Sequence, residues 1–138
     1  MPDLVRLSIS IERPLYARLE RLRRQARFRN RSEFLRGLVR DKLVERQWQA
    51  DEEALGTVTL VYNHRQRQLS EKLTDLQHHH HGHVLAATHV HLDEDLCAEM
   101  IMLKGPAEEL REIADLLRQQ KGVLHAALAM SSTGRKLA

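Results

Sequence analysis

Residues 4–12 read LVRLSISIE, and apolar and polar side chains alternate along almost all of this stretch. Alternation of this kind predicts a half-buried β-strand, because successive side chains of a strand point to opposite faces. The polar face carries Arg6, Ser8 and Ser10. A single strand has two unpaired edges, which are costly unless another chain covers them. We therefore predict that this strand pairs with the same strand of a second copy.

Two helical patterns follow the strand. Pro14 suits the first turn of a helix, and an apolar stripe predicts that this helix spans residues 13–26. A second helix is predicted over residues 33–48, with Ser32 as its N-cap. One strand and two helices are too small to bury a sufficient core alone. We expect a dimer in which two strands pair antiparallel and four helices pack beneath them.

The rest of the chain follows a β-α-β-β-α-β pattern, the ferredoxin-like plan. The predicted elements are a strand over 57–64, a helix over 65–77, strands over 83–92 and 97–105, a helix that opens at Pro106 and a strand over 123–131. The predicted fold class is therefore α+β. A polar, acidic shift after Trp48 marks the domain boundary. The predicted segments are a first domain 1–50, a linker 51–56, a second domain 57–131 and a tail 132–138.

Charge is divided unevenly along the chain. Residues 1–50 contain 13 Lys and Arg against 6 Asp and Glu, whereas the remainder contains 9 against 13. A basic half of this kind suggests a nucleic-acid-binding surface, although a solvated arginine-rich face is the simpler alternative. A two-stranded ribbon fits the DNA major groove, where arginine can bond to guanine edges and serine to several bases.

Composition also limits where the protein acts. No run approaches the roughly 18 apolar residues that a membrane helix needs, and the N-terminus has no apolar signal region. The only cysteine cannot form an intramolecular disulfide, so no oxidising compartment is implied. We expect a soluble cytoplasmic protein.

A histidine-rich stretch carries the candidate metal ligands. Residues 77–97 read QHHHHGHVLAATHVHLDEDLC. His89 and His91 lie two positions apart on a predicted strand, and Cys97 opens the next strand of a probable hairpin. Surface histidines and a core cysteine remain the alternative. The tract from position 78 to 81 is typical of loose metal binding, and one of its histidines is available to complete a site, within the chain or in a neighbouring subunit.

The basic segment carries a family resemblance. RLSISIERPLYARLERL, followed by NRSEFLRGLV, resembles the ribbon–helix–helix unit of bacterial and archaeal repressors. The resemblance implies that three strand residues enter the major groove: Arg6, Ser8 and Ser10. It also implies that the start of the second helix lies near a DNA phosphate, with three candidate contact residues: Asn30, Arg31 and Ser32.

The whole chain is similar to the nickel-responsive transcriptional regulators of the NikR family. His78, His89, His91 and Cys97 fall at that family's separations of eleven, two and six positions. The resemblance implies an ACT-like metal-binding domain in a homotetramer built as a dimer of dimers. It also implies a square-planar Ni(II) site in which His78 comes from a facing subunit. Three imidazoles and one thiolate in a plane suit Ni(II) or Cu(II) better than zinc, but do not separate nickel from copper.

The chain departs from the family at several positions. Members carry threonines where this strand has Ser8 and Ser10, a change that affects operator preference. Some members hold a potassium-like cation with an acid at the position of Gly37, and here only Glu33 remains of that acidic pair. Arg67 keeps its charge for a phosphate contact.

These features favour a regulator over an enzyme. A four-ligand planar site leaves the cysteine bound, and the chain has no Gly-rich phosphate loop and no zinc-protease helix motif. The expected function is nickel-dependent binding to double-stranded operator DNA and repression of nickel-uptake genes. A regulator of copper or cobalt, or a metal storage or chaperone protein, is the alternative. Four histidines have no assigned role: His79, His80, His81 and His83.

Overall fold

The computed structural model describes residues 3–138. Within them lie four helices and four strands: α1 (Arg13–Gln25), α2 (Arg31–Gln49), β1 (Glu53–Asn63), α3 (Leu69–His79), β2 (Val84–His91), β3 (Leu96–Pro106), α4 (Ala107–Arg118) and β4 (Val123–Ser131). None of these helices is long and apolar enough to span a bilayer. The chain divides into two compact units, Met1–Arg40 and Asp41–Ala138.

The first unit does not bury its apolar side chains within one chain. Residues 3–12 form neither helix nor strand, and Leu7 and Ile9 are 84% and 62% exposed. The half-buried strand predicted over 4–12 depends on pairing with a second copy, which stays a prediction, and the single chain does not form it. A strand needs a hydrogen-bonded neighbour, and none of the described residues pairs with this segment. Helix α1 likewise buries none of its residues.

The start of α2 differs in detail from the prediction. The helix begins at Arg31, and the Glu33 backbone N–H donates to Oδ1 of Asn30 at 2.9 Å. Asn30 is therefore the N-cap, and Ser32 lies inside the first turn, so the prediction that Ser32 caps the helix was wrong. Asparagine and serine cap helices about equally well, so residue type alone could not choose between them.

The second unit is a four-stranded antiparallel sheet with the order β2-β3-β1-β4. With α3 and α4, its element order is β-α-β-β-α-β, and the ferredoxin-like prediction is confirmed. Strand β1 begins at Glu53, four residues earlier than predicted, and α3 begins at Leu69 rather than near 65. The backbone at Gln68 is left-handed (φ 66°), which excludes it from the helix.

One face of this sheet forms the core. Alternate residues of β1 are buried, and they join side chains from α3, α4 and the other strands in one cluster. Trp48, near the end of α2, belongs to this cluster, and its Nε1 donates to the Ser131 carbonyl at 2.8 Å. On the opposite sheet face, Val90, Met100 and Met102 are exposed.

Candidate metal centre and DNA-facing residues

The hairpin of β2 and β3 brings two predicted ligands together. His91 and Cys97 are direct cross-strand partners, and the Cys97 Sγ lies 3.3 Å from Nδ1 of His91. Two residues earlier in β2, His89 is paired with Glu99. Cys97 is fully buried, and residues opposite one another share a sheet face. The two histidines therefore project from the face that carries the thiol.

His64 joins this group, although the sequence did not single it out. Ligand atoms of His64, His91 and Cys97 all lie within 4.8 Å of one another. His64 follows β1 directly, and β1 pairs with β3 so that Tyr62 faces Cys97. Spacing along the sequence could not reveal this proximity, because it depends on the pairing of strands more than 30 residues apart. His64 Nδ1 also lies 2.9 Å from the Asp95 carbonyl oxygen.

His89 faces a buried tyrosine instead of the thiol. Its Nδ1 lies 3.2 Å from the Tyr62 hydroxyl, which donates to Oε2 of Glu99 at 3.4 Å. A hydroxyl has one proton, and Tyr62 uses it in the hydrogen bond to Glu99. In the contact between Tyr62 and His89, Nδ1–H of His89 is therefore the donor. The lone pair of His89 Nε2 then remains available for a metal ion, an arrangement common among metal-binding histidines.

Electrostatics around the site keep the Cys97 thiol and the Tyr62 hydroxyl protonated. Burial raises the pKa of the Cys97 thiol, and the negative charges of Asp93 and Glu99 raise it further. Burial and the Glu99 carboxylate also raise the pKa of Tyr62 to about 12. The thiol therefore holds its proton at neutral pH, and a metal ion must displace that proton to bind.

His78 lies apart from these groups in its own chain. It occupies the last turn of α3, and among residues 3–138 it belongs to no cluster of three potential ligands. The preceding residue, Gln77, donates from Nε2 to Oε1 of Glu99 at 3.0 Å. The structure thus brings His91 and Cys97 together, places His89 beside them, and connects the end of α3 to the same carboxylate without adding His78.

The other histidines of the tract do not form a ligand cluster in the part of the chain described. His83 Nδ1 lies 3.1 Å from the Lys104 carbonyl oxygen, and Nε2 contacts the Glu109 carboxylate. Its ring also covers Gly105, where an added Cβ would lie 2.5 Å from Nδ1. His83 therefore ties the start of β2 to α4. His81 contacts the His78 carbonyl through Nδ1 at 3.1 Å.

The predicted DNA-facing residues are all exposed. Arg6, Ser8, Ser10, Ser32 and Arg67 are exposed. Asn30 uses its side-chain oxygen to cap α2. Arg31 is exposed but has partners within the chain, since its Nε donates to Oε1 of Glu20 at 2.7 Å and its Nη2 to the Tyr16 hydroxyl.

The residues at the cation position of some family members do not provide a pair of acids. Glu33 lies 3.9 Å from the Arg36 guanidinium, and both side chains are largely exposed. A Cβ added at Gly37 would contact the Phe28 ring at 3.5 Å. The single carboxylate already has a cationic neighbour, so this pair does not fit a cation site.

Two family models match consecutive parts of the chain. Residues 5–46 match the ribbon-helix-helix protein, copG family, and residues 55–131 match the NikR C terminal nickel binding domain. Together they account for the described units from the exposed N-terminal segment to the last strand.

Relatives cover nearly the whole chain. A protein of Geotalea uraniireducens is 47% identical over 138 residues and one of Geobacter metallireducens 48%, with 99% of both chains covered in each comparison. A protein of Pyrococcus abyssi is 43% identical over 136 residues, or 98% of this chain and 99% of that one. Each is named, provisionally, as a nickel-responsive regulator. A solved structure of an uncharacterised Thermotoga maritima protein shares the fold alone, at 18% identity and TM-score 0.52 over 57% of this chain and 98% of that chain.

Proposed function

The chain belongs to the NikR family of nickel-responsive regulators, and we propose that bound Ni(II) promotes its binding to operator DNA and thereby represses nickel-uptake genes. Membership of a regulator family confirms the expectation that the protein is not an enzyme. The observation that carries the proposal is the pairing of Cys97 with His91 in a nickel-binding domain that shares one chain with a ribbon–helix–helix domain. A regulator of this kind acts where the DNA is, so we place it in the cytoplasm.

The proposed nickel ligands are His89, His91 and Cys97 of one subunit and His78 of another. The donor chemistry fits, because the buried thiol and His91 Nδ1 are adjacent and His89 has Nε2 available. When bound, Ni(II) supplies a link between subunits, and its preference for a planar set of nitrogen and sulfur ligands suits these four groups. His78 is separate from the cluster of its own chain, which supports a contribution to a partner's site.

The proposed assembly is a homotetramer, a dimer of dimers. Two exposed apolar surfaces support it, one in each unit. In the first unit, the apolar side chains of residues 4–9 are largely exposed. In the second, methionine, valine, alanine and threonine side chains form the open sheet face. Surfaces of this kind usually mark sites of association.

A hydrogen-bonded series supports a route for the nickel signal. It runs from Gln77, at the end of α3, through Glu99 and Tyr62 to His89. A metal that engages His89 and the partner's His78 would order the end of α3, whose start follows Arg67. Nickel acts as an effector only if it favours the DNA-competent state over others, because a ligand shifts an equilibrium by its differential affinity.

Binding to the promoter DNA of nickel-uptake genes tests the function. Fluorescence anisotropy at fixed salt should show tighter binding with nickel than with a chelator. Copper and cobalt, added in parallel, test the alternative metals. Binding that does not change with nickel would rule out the sensor function, and a stronger response to copper or cobalt would reassign the metal.

A mixing experiment tests the contribution of His78 separately. His78→Ala keeps its own hairpin ligands, whereas Cys97→Ala keeps His78. If His78 serves a facing subunit, co-refolded mixtures contain some complete sites, and part of the tight nickel binding returns. If all four ligands came from one subunit, neither the separate variants nor their mixture would contain a complete site.

A further inference from the structure

Two arginine side chains of the first unit converge on Glu20. Its carboxylate accepts hydrogen bonds from Arg23 Nη2 at 2.8 Å and from Arg31 Nε at 2.7 Å. Only 14% of the Glu20 side chain is exposed. The hydrogen bonds from Arg23 and Arg31 lower the pKa of Glu20 to about 2, so the carboxylate is charged at every pH at which a cell operates.

Arg23 uses its remaining donors on the turn between α1 and α2. Its Nη1 donates to the Phe28 carbonyl at 2.8 Å and to the Arg29 carbonyl at 3.3 Å. Because the same guanidinium binds Glu20, the turn is fastened to α1. The residue that ends this turn is Asn30, the N-cap of α2. The backbone on either side of Arg31 is therefore fixed.

Arg31 is held along one edge and open along the other. Its Nε binds Glu20, its Nη2 donates to the Tyr16 hydroxyl, and its guanidinium carbon lies 5.3 Å from the centre of the Tyr16 ring. A guanidinium has five N–H donors, so three have no protein partner among residues 3–138. The side chain is 60% exposed, which leaves those donors accessible.

We propose that Glu20 and Tyr16 are positioning residues that hold Arg31 as a preoriented phosphate-binding group at the start of α2. This inference rests on the proposed DNA binding and adds to it a reason for an acidic residue in a basic surface. A long arginine side chain loses rotational freedom when it binds a ligand, and holding it in place beforehand reduces that loss. The guanidinium fork can still bind phosphate through its outward edge.

A competing arrangement has the same contacts and the opposite consequence. If Glu20 occupied the donors that DNA needs, it would act as an intramolecular competitor for phosphate. The exposure of Arg31 and its three unused donors favour positioning over competition. Glu20→Gln distinguishes them, because it keeps the size of the side chain and removes its charge.

The test uses the nickel-loaded full-length protein and operator DNA across a range of salt concentrations. Arg31→Ala should lower affinity about tenfold and reduce the slope of log affinity against log salt by about one, the value for one lost phosphate contact. Glu20→Gln should lower affinity about threefold or more, as loss of a charge-assisted hydrogen bond at a binding group does. Nickel affinity should stay near wild type. Glu45→Gln, at the exposed Lys42–Glu45 pair of α2, is the matched control.

A double-mutant cycle separates positioning from a general structural role. With Arg31→Ala already present, Glu20→Gln should have no further effect on affinity, because there is no guanidinium left to hold. Equal loss in both backgrounds would mean that Glu20 merely stabilises the unit, and tighter binding by Glu20→Gln alone would mean competition. Either result would overturn the proposal. Tyr16→Phe, which removes only the hydroxyl, provides the same cycle if Glu20→Gln does not fold.

If the nickel response itself were absent, the proposed function would fail while this cycle could still be read on nickel-independent DNA binding. The two hypotheses therefore fail separately. A loss of nickel response with an intact Glu20–Arg31 coupling would remove the sensor role only. A normal nickel response with no coupling would remove the positioning role only.

Discussion

The two units of the chain differ in how well they bury their apolar side chains. In the second, side chains such as Val58 and Ile101 are fully inaccessible, and the central strand pairs on both edges. In the first, the apolar side chains Leu7 and Ile9 are exposed, and none of residues 3–12 forms a strand. The same physical rule produces both results, because a sheet needs paired edges and a covered face. The second unit pairs its strands and buries one face of its sheet within the chain, whereas for the first unit we propose that a second copy supplies the missing neighbour.

The largest expected effect comes from blocking that second copy. Ile9→Asp places a charge on the apolar face of the proposed two-stranded ribbon, and burial of an unpaired charge is strongly unfavourable. Operator binding should fall more than about a hundredfold, because the paired ribbon reads the groove. Sedimentation measures the loss of association between copies, and fluorescence anisotropy measures the loss of DNA binding. The second unit should keep its fold and its nickel site.

Ser10→Ala is the control, since it lies on the opposite face of the same segment. It should leave assembly unchanged. Normal DNA binding by Ile9→Asp would mean that this segment does not form the ribbon.

Next in size is the loss of the thiolate from the unit that is already folded. Cys97→Ala removes a proposed ligand from a buried position, and nickel affinity should fall at least about a hundredfold, more than loss of an outer partner usually costs. Competition against a chelator measures it. Circular dichroism should show an unchanged fold.

His64→Ala is the matched control, because a ligand atom of His64 also lies within 4.8 Å of the Cys97 thiol but His64 lies outside the proposed ligand set. It should change nickel affinity less than about threefold, within the range of ordinary neighbouring effects. A larger loss in His64→Ala than in His89→Ala would replace His89 by His64 as a ligand.

The sequence predicted the elements that pack within one chain, but it did not predict contacts that depend on strand register. Periodicity was sufficient for the β-α-β-β-α-β order and for β4, because those elements complete their packing within one chain. Spacing was sufficient for the hairpin pair His91 and Cys97, which are six positions apart. It could not find His64 or the buried Tyr62–Glu99 contact, which depend on strand register. The strand over 4–12 was predicted together with a second copy, so its absence from the single chain leaves that prediction open.

Substitutions in the two units should differ in how the free energy of unfolding depends on protein concentration. Ile101→Ala should lower the free energy of unfolding of the second unit by about 2–5 kcal/mol, because it leaves a cavity in a close-packed core. Ile9→Ala should act mainly on association, so its cost should grow as the protein is diluted. Denaturant unfolding at two protein concentrations distinguishes them. A cost that varies equally with concentration for both would contradict the division.

Nickel affinity should rise with pH because of the thiol of the second unit. Burial raises the pKa of Cys97, so the metal-free thiol carries a proton that nickel must release. Below that pKa, the thiol alone contributes up to about a tenfold gain in affinity per pH unit. Chelator competition between pH 7.5 and 8.5 measures this dependence. Calorimetry in two buffers counts the released proton, and Cys97→Ala should abolish that release.

The smallest expected effect returns to the first unit, at the helix start that the sequence assigned to the wrong residue. Asn30→Ala removes the oxygen that accepts the Glu33 N–H and should lower the free energy of unfolding by about 1 kcal/mol, the usual cost of a lost N-cap. Ser32→Ala should change it by less than about 0.5 kcal/mol, as surface substitutions usually do. Thermal unfolding of both variants at one concentration measures the difference. A greater cost at Ser32 would mean that α2 starts two residues later once the second copy completes this unit, so the comparison also tests whether the helix start survives assembly.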